Sequence, residues 1–371
     1  MNIGVDAKWF FEGPPSGKVV IQNLVEQLVK VNPGHALFFF LDENTKDKEF
    51  PFRSSNIHTV YVWAKNNLFS NLFVLPRVSK HLNLDVLVYQ NFPAYKSSYA
   101  QIAYIHDIIF LTHPQYYTWK ERLYFLPLKF LAKQSELVCT VSQAEKERLI
   151  GHYNLPATKI DVIHHGVNPM FKPITIQSGN LINRVRNKFK LPDKFLLYVG
   201  RLNVRKNVFN LLKALPKLKN KEIPLVVVGE YDWKMEDVQQ TIEKLSIQDR
   251  LIFTGLVFGE ELAAIYSIAE VFCFPSFEES FGLPPLEAMA SGIPVVVSNS
   301  SSIPEICGDA GNYVNANVPK DIARMIDLLL EDKDFYLKKS NLGLERAKQF
   351  SWEKAAVNLL KSCEKAVGNR K

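Results

Sequence analysis

Cysteine is scarce in this chain: four residues in 371, Cys139, Cys273, Cys307 and Cys363, far apart and without metal-ligand spacing. That usage fits a reducing, cytosolic compartment. Long apolar runs are missing too, and none approaches the ~18 residues that a membrane span requires. The opening MNIGVDAKWF passes straight into a strand-like pattern, without the basic-then-apolar layout of a signal peptide. Two nucleotide motifs are also missing. In FEGPPSGKVV three residues separate Gly13 from Gly17, and Val19 follows Lys18. A P-loop needs four residues and then Gly-Lys-Ser/Thr. The fingerprint G-x-G-x-x-G is absent as well, which argues against a nicotinamide-dependent oxidoreductase. No tandem repeat or low-complexity tract interrupts the chain.

What the chain does have is apolar residues, 47% of the total, enough for two domains with cores of their own. A strand–helix alternation runs through it twice. MNIGVDA, HALFFFLD, DVLVYQ, QIAYIHD and KIDVIHHGV read as buried strands of a first half. Lys18 to Val31 carries Val20, Leu24, Leu28 and Val31 at helical spacing. Ser142 and Glu145 have the spacing of a capping box. FLLYVG, PLVVVG, LIFTG, VFCFPS and PVVVS are strands of a second half, each a continuous apolar run as in a sheet covered on both faces. The expected fold is α/β, two doubly wound parallel sheets. Residues 1–170 form the first domain, the polar stretch 171–194 the linker and domain entry, and 195–351 the second domain, followed by a last helix over 352–371.

Net charge is +7, unevenly spread: +3 over residues 1–170, +5 over 171–194 and −1 over the remainder. Such a basic first half suits anionic lipid or a phosphate-bearing substrate, or it is simply a solvated surface.

Ligands of open α/β sheets bind beyond the carboxyl ends of the strands, so strand ends carry the functional reading. After FLLYVG comes Arg201-Leu-Asn-Val-Arg205-Lys206, three cations in six residues at the start of a helix. Cations disfavour that end of a helix, and a bound diphosphate would resolve the conflict. After VFCFPS comes Glu279-Ser-Phe-Gly-Leu-Pro-Pro-Leu-Glu287. Pro284 and Pro285 suit a first helical turn. Glu279 then lies in the loop and Glu287 one turn into the helix, with backbone N–H groups near Leu283 between them. A sugar nucleotide matches this set: carboxylates for sugar and ribose hydroxyls, N–H groups for phosphate. Taken singly, Glu279 is equally a loop charge and Glu287 an acid near a helix N-terminus. His106, at the end of QIAYIH, is as compatible with a structural as with a functional role. His164-His165 lacks further ligands and reads as structural. Asp332-Lys333-Asp334 follows no core strand and is set aside as a metal-diphosphate site.

Glu279 to Glu287 resembles the E-x7-E motif of retaining glycosyltransferases of family 4, which have the GT-B fold. The likeness extends to VGRLNVRKN, VVVGE, LIFTGLVFGEEL, AMASGIPVVVS, FSWEKAA, and SQAEKERL followed by KIDVIHHGV. It is least distinctive from about residue 43 to 100. The resemblance implies two Rossmann-like domains facing across a cleft, with the last helix crossing back to the first. It implies that Glu279 contacts the donor sugar, that backbone around Phe281, Gly282 and Leu283 holds sugar and phosphate, and that Glu287 binds ribose. Arg201 and Lys206 would neutralise the diphosphate, His106 would lie near the transferred sugar, and Gly17 would match the glycine of the first loop. That loop departs from the family's Gly-Gly or Gly-Ile-Gly.

The resulting expectation is a retaining, metal-independent hexosyltransferase without a cofactor. Its general style resembles O-antigen and capsule mannosyl- and rhamnosyltransferases, with GDP-mannose as the leading donor. The acceptor would be a glycan or lipid-linked sugar, not nucleic acid. HPQYYTWKERLYFLPLKFLAKQ mixes aromatics and cations on an expected helix from Trp119 to Lys133. It suits the inner face of an anionic membrane, or packing on the sheet through Leu123, Leu126 and Phe130. The rival functions are a sugar-nucleotide 2-epimerase of the same architecture and a non-catalytic sugar-nucleotide or glycan-binding module.

Overall fold

The runs LLYV, LVVV, VFCF and VVVS show no polar alternation, and in the structure every one of their residues is buried. This is the signature of strands covered by helices on both faces. The structure is a computed structural model that describes residues 1–63, 66–230 and 236–370. Its chain divides into two units, residues 1–166 with 351–371, and residues 167–350.

The first unit holds a seven-stranded parallel sheet. Its strands are β1 (Asn2–Asp6), β2 (Ala36–Asp42), β3 (Ile57–Val62), β4 (Val86–Gln90), β5 (Ala100–Ile105), β6 (Leu137–Thr140) and β7 (Ile160–Val162), in the order β3-β2-β1-β4-β5-β6-β7. The second unit holds β8 (Leu196–Val199), β9 (Leu225–Val228), β10 (Leu251–Gly255), β11 (Val271–Phe274), β12 (Val295–Ser298) and β13 (Gly311–Val314). Their order is β10-β9-β8-β11-β12-β13, again all parallel. Strand order therefore reverses between β1 and β4 in one unit and between β8 and β11 in the other. Those two points are where ligand crevices open in doubly wound sheets.

Several local expectations change. The first helix begins at Pro15 rather than Lys18, because Pro15 has no N–H to lose in a first turn. The helix expected over Trp119 to Lys133 is two, Trp119–Phe125 and Leu128–Gln134. Pro127 cannot donate to a carbonyl one turn back, so the chain breaks there. Packing also differs from expectation. Leu123, Leu126 and Phe130 are 59%, 67% and 51% exposed, while Leu128, Leu131 and Ala132 face the core. The polar stretch at the boundary contains a helix, Gly179–Phe189, anchored by buried Val185. Its Arg186 and Lys188 lie in the last turn, where cations complement the helix dipole. Asp332 caps the helix Lys333–Ala347 by accepting from the Phe335 N–H, which gives Asp332 a structural role.

The last helix, Trp352–Arg370, belongs to the first unit and packs along the helix Pro15–Val31. Lys365 and Ser362 both reach Asp161, at 2.6 and 2.9 Å. Buried Trp352 stacks on His165 with ring centroids 5.3 Å apart. Removing a buried indole costs ~3–5 kcal/mol. Trp352→Ala is therefore expected to lower the urea midpoint of the first unit's unfolding by a corresponding amount. An unchanged midpoint would mean that the last helix does not stabilise that unit.

Candidate active site

In the second unit, β8 runs into Gly200 and then a 3-10 turn, Val204–Lys206, capped by Asn203, which accepts from the Lys206 N–H at 3.0 Å. Asn207 follows in the left-handed region at φ 55°, a conformation that asparagine tolerates. Its side-chain amide donates to the carbonyls of Pro275 and Ala316 at 2.9 and 2.7 Å. The turn is thus fastened to the ends of β11 and β13, and Lys206 is aimed at the loop after β11.

That loop presents Glu279, which is 6% exposed. Lys206 Nζ lies 2.7 Å from Glu279 Oε1 and 2.9 Å from Oε2. Arg205 Nη1 stands 3.3 Å from Oε1, and Ser276 Oγ donates to Oε1 at 2.6 Å. Burial pushes the Glu279 carboxyl up, but Lys206 and Arg205 outweigh it and hold the group below its ordinary range. Burial pushes the Lys206 ammonium down to about 8, against the pull of Glu279. The Phe274 ring lies 4.7 Å beneath that ammonium.

After Phe281, the chain turns at Gly282 into the helix Leu283–Ala290. Gly282 sits at φ 120°, and an added Cβ there would lie 3.1 Å from Ile303 Cδ1. Only glycine suits that position. Buried Ser302 donates to the Phe281 carbonyl at 2.6 Å and to the Glu279 carbonyl at 3.1 Å. Glu287, one turn into the helix, is half-buried beside Tyr266. Burial pushes its carboxyl up to about 8, and the Tyr266 hydroxyl lowers it in part.

The structure thus brings together Lys206 and Glu279, and aligns Phe281, Gly282, Leu283 and Glu287 along one helix start. Arg201 does not join the cluster: it is exposed, and its carbonyl accepts from Tyr198 at 3.2 Å. Arg205 takes the inner place. The sequence showed Arg205 as one of three loop cations but gave no signal for which would reach the carboxylate. Ser276 and Tyr266 carried no signal.

Gly17 and His106 lie in the first unit. A Cβ on Gly17 would come within 2.9 Å of the Trp9 ring, which accounts for the glycine as a close approach. Trp9 and His106 have ring centroids 6.1 Å apart. His106 follows β5, and its Nε2 lies 2.7 Å from Gln90 Oε1. Burial pushes the ring down to about 4, so it is neutral at physiological pH. Among the described residues no group of three or more His, Cys, Asp or Glu side chains is arranged to hold a metal ion.

Residues 181–361 match the model of group 1 glycosyl transferases, and residues 17–171 match that of glycosyltransferase family 4. An O-antigen chain mannosyltransferase B from Escherichia coli is 33% identical over 261 residues, covering 69% of this chain and 68% of that one. A serotype-specific mannosyltransferase WbdA, also from Escherichia coli, is 28% identical over 271 residues, 71% of this chain but only 33% of that longer relative. Among solved structures, a sucrose-phosphate synthase from Thermosynechococcus elongatus matches with a TM-score of 0.76 over 98% of each chain, at 21% identity. The two parallel sheets are those of the GT-B fold. The chain belongs to the group 1, family 4 glycosyltransferases.

Proposed function

We propose that this glycosyltransferase moves mannose from GDP-mannose to a hydroxyl of a glycan or lipid-linked sugar, with retained anomeric configuration and without a metal. The observation that carries the reading is the cluster at the β8/β11 switch point. Two cations, Lys206 and Arg205, meet one carboxylate, Glu279, beside a helix start that bears Glu287. The mannosyltransferase relatives favour mannose as the sugar.

The chemistry follows from charge. As the glycosidic bond breaks, negative charge grows on the diphosphate and positive charge on the sugar ring. Lys206, with Arg201 at the rim and the N–H groups of the helix start, stabilises the leaving group by preorganised electrostatics. The diphosphate competes for the Lys206 ammonium, and Glu279 then turns its acceptor oxygens to sugar hydroxyls. No second carboxylate is assigned as a nucleophile. The acceptor attacks the same face that the diphosphate leaves, and the leaving phosphate takes the acceptor's proton. Glu287, once ionised, accepts from both ribose hydroxyls, and His106 contacts the transferred sugar.

Calorimetry of GDP-mannose binding in EDTA is expected to give micromolar affinity, weakened at least tenfold by Glu287→Ala. Absence of binding to the wild type in EDTA, with binding restored by a divalent metal, would overturn the metal-independent site. Binding unaffected by the substitution would overturn the ribose role.

Lys206→Met should lower turnover ~10²-fold, the usual cost of one preorganised donor. The ammonium must be charged to hold phosphate. In the wild type kcat/KM should therefore fall as pH rises through about 8. Near-normal turnover in Lys206→Met would remove the diphosphate role. NMR of the product reports the anomer. An inverted product would overturn retention, and a 2-epimer formed from donor alone would identify an epimerase.

The acceptor reading extends to a surface of the first unit. Trp119, Leu123 and Phe130 are exposed on the two short helices and Leu126 in the turn between them, beside exposed Lys120, Glu121, Arg122 and Lys133. Exposed Phe69 and Phe73 lie on the neighbouring segment, where the Leu68 N–H meets the Tyr124 hydroxyl at 3.2 Å. Apolar side chains ringed by cations suit an anionic bilayer, and a lipid-linked acceptor would be met there. No helix among the described residues is long and apolar enough to cross a membrane. The chain should sediment with anionic vesicles at low salt, and Leu123→Ser with Leu126→Ser should abolish this. No sedimentation of the wild type would exclude the bilayer as partner.

A further inference from the structure

We propose that Gln90 is a positioning residue: it fixes the tautomer of His106, keeping the proton on Nε2 and leaving Nδ1 as the ring's hydrogen-bond acceptor. The proposal rests on the reading of His106 as a contact of the transferred sugar. A neutral imidazole has two tautomers, and the partner of one nitrogen decides what the other offers. Here the Gln90 carbonyl oxygen, Oε1, lies 2.7 Å from Nε2 and so accepts the proton held there. A lone pair on Nδ1 can then accept from a sugar hydroxyl.

The structure holds Gln90 in place from several sides. It is the last residue of β4, at the switch point beside β1. Its backbone N–H donates to Asp6 Oδ2 at 3.3 Å. Its carbonyl accepts from the side-chain amides of Asn67 and Asn71 at 2.8 and 3.2 Å. Asn71 comes from a single π-helical segment, Ser70–Val74, a rare geometry often found at functional sites. Its amide oxygen accepts from Lys8 at 2.7 Å, and Lys8 pairs with Asp6 at 2.6 Å, all of them buried. The buried ion pair and the π turn thus fix the backbone at Gln90 and, through Asn71 Nδ2 donating at 2.9 Å, at the Phe92 carbonyl.

The side chain itself is costly too. Gln90 is 2% exposed, and its Nε2 has no hydrogen-bond partner among the described residues. An apolar side chain would pack there without an orphaned donor. Glutamine gains only the bond to His106. The ring centroids of Tyr104, Trp9 and His165 stand 5.1, 6.1 and 6.2 Å from that of His106.

The test is 15N NMR of the full chain labelled at histidine, with His106 assigned by its loss in His106→Gln. The wild type should show the Nε2–H tautomer, neutral down to about pH 4. Gln90→Leu should mix the tautomers. Gln90→Glu, which keeps the shape, should raise the His106 pKa by placing a carboxylate against Nε2. In turnover, Gln90→Leu should lower kcat on the order of 10-fold with donor KM little changed, as expected when a reacting contact is misoriented. An Nδ1–H tautomer in the wild type, or a tautomer unchanged in Gln90→Leu, overturns the proposal. Full activity of His106→Gln would instead overturn the reading of His106, and the spectra would still decide the tautomer.

Discussion

The contact between Lys206 and Glu279, 2.7 Å long and buried, is the constraint around which the second unit's strand ends are built. Taking two charges out of water costs several kcal/mol for each, by general estimate, and attraction repays this only with good geometry and full hydrogen bonding. Glu279 meets that condition, since Lys206, Arg205 and Ser276 all reach its carboxylate. A hydrophobic pair would be the simpler way to close the same space. The cluster sets two cations, Lys206 and Arg205, around the Glu279 carboxylate, and Arg205 also donates to the Glu278 carbonyl. It stands at the ends of β8 and β11, the place where a doubly wound sheet opens to ligands.

The backbone around the cluster shows the same priority. Asn207 and Ser301 adopt positive φ values of 55° and 59° without being glycines, and Gly282 lies at 120°. All three sit in loops after strands. Left-handed conformations in non-glycine residues are tolerated where surrounding bonds over-determine them. The Asn207 amide spans two carbonyls, and Ser301 exchanges hydrogen bonds with the backbone of Glu279. The strands behind these loops are wholly buried and regular. Rigidity in the sheet permits irregularity at its edge, and the irregularity sets the direction of the charged side chains.

The first unit reaches its switch point by different means. Its buried ion pair, Asp6 with Lys8, is balanced and enclosed, and His106 at the end of β5 is a neutral imidazole. The strand ends of the second unit thus gather charged side chains, while those of the first carry a neutral imidazole and a glutamine amide, groups that in the proposed reaction would suit sugar hydroxyls.

How much of this was legible in the sequence depends on the range of the forces involved. The E-x7-E stretch was readable because proline at a helix start and glycine at a sharp turn act locally. Most parallel strands were readable as short apolar segments between turn residues. β3, β6 and β13 escaped, because IHTVYV and GNYV interrupt an apolar run with polar residues and LVCT is short and ends in threonine. Spacing showed an apolar face on the region 119–133 but could not say whether that face met the sheet or water, and Pro127 divided it. Arg205 was passed over for Arg201 because its partner lies 74 residues further on, where no local rule operates. Gln90 illustrates the limit. A glutamine at a strand end is unremarkable until the fold sets its amide against an imidazole sixteen residues away, and its meaning comes wholly from that neighbour.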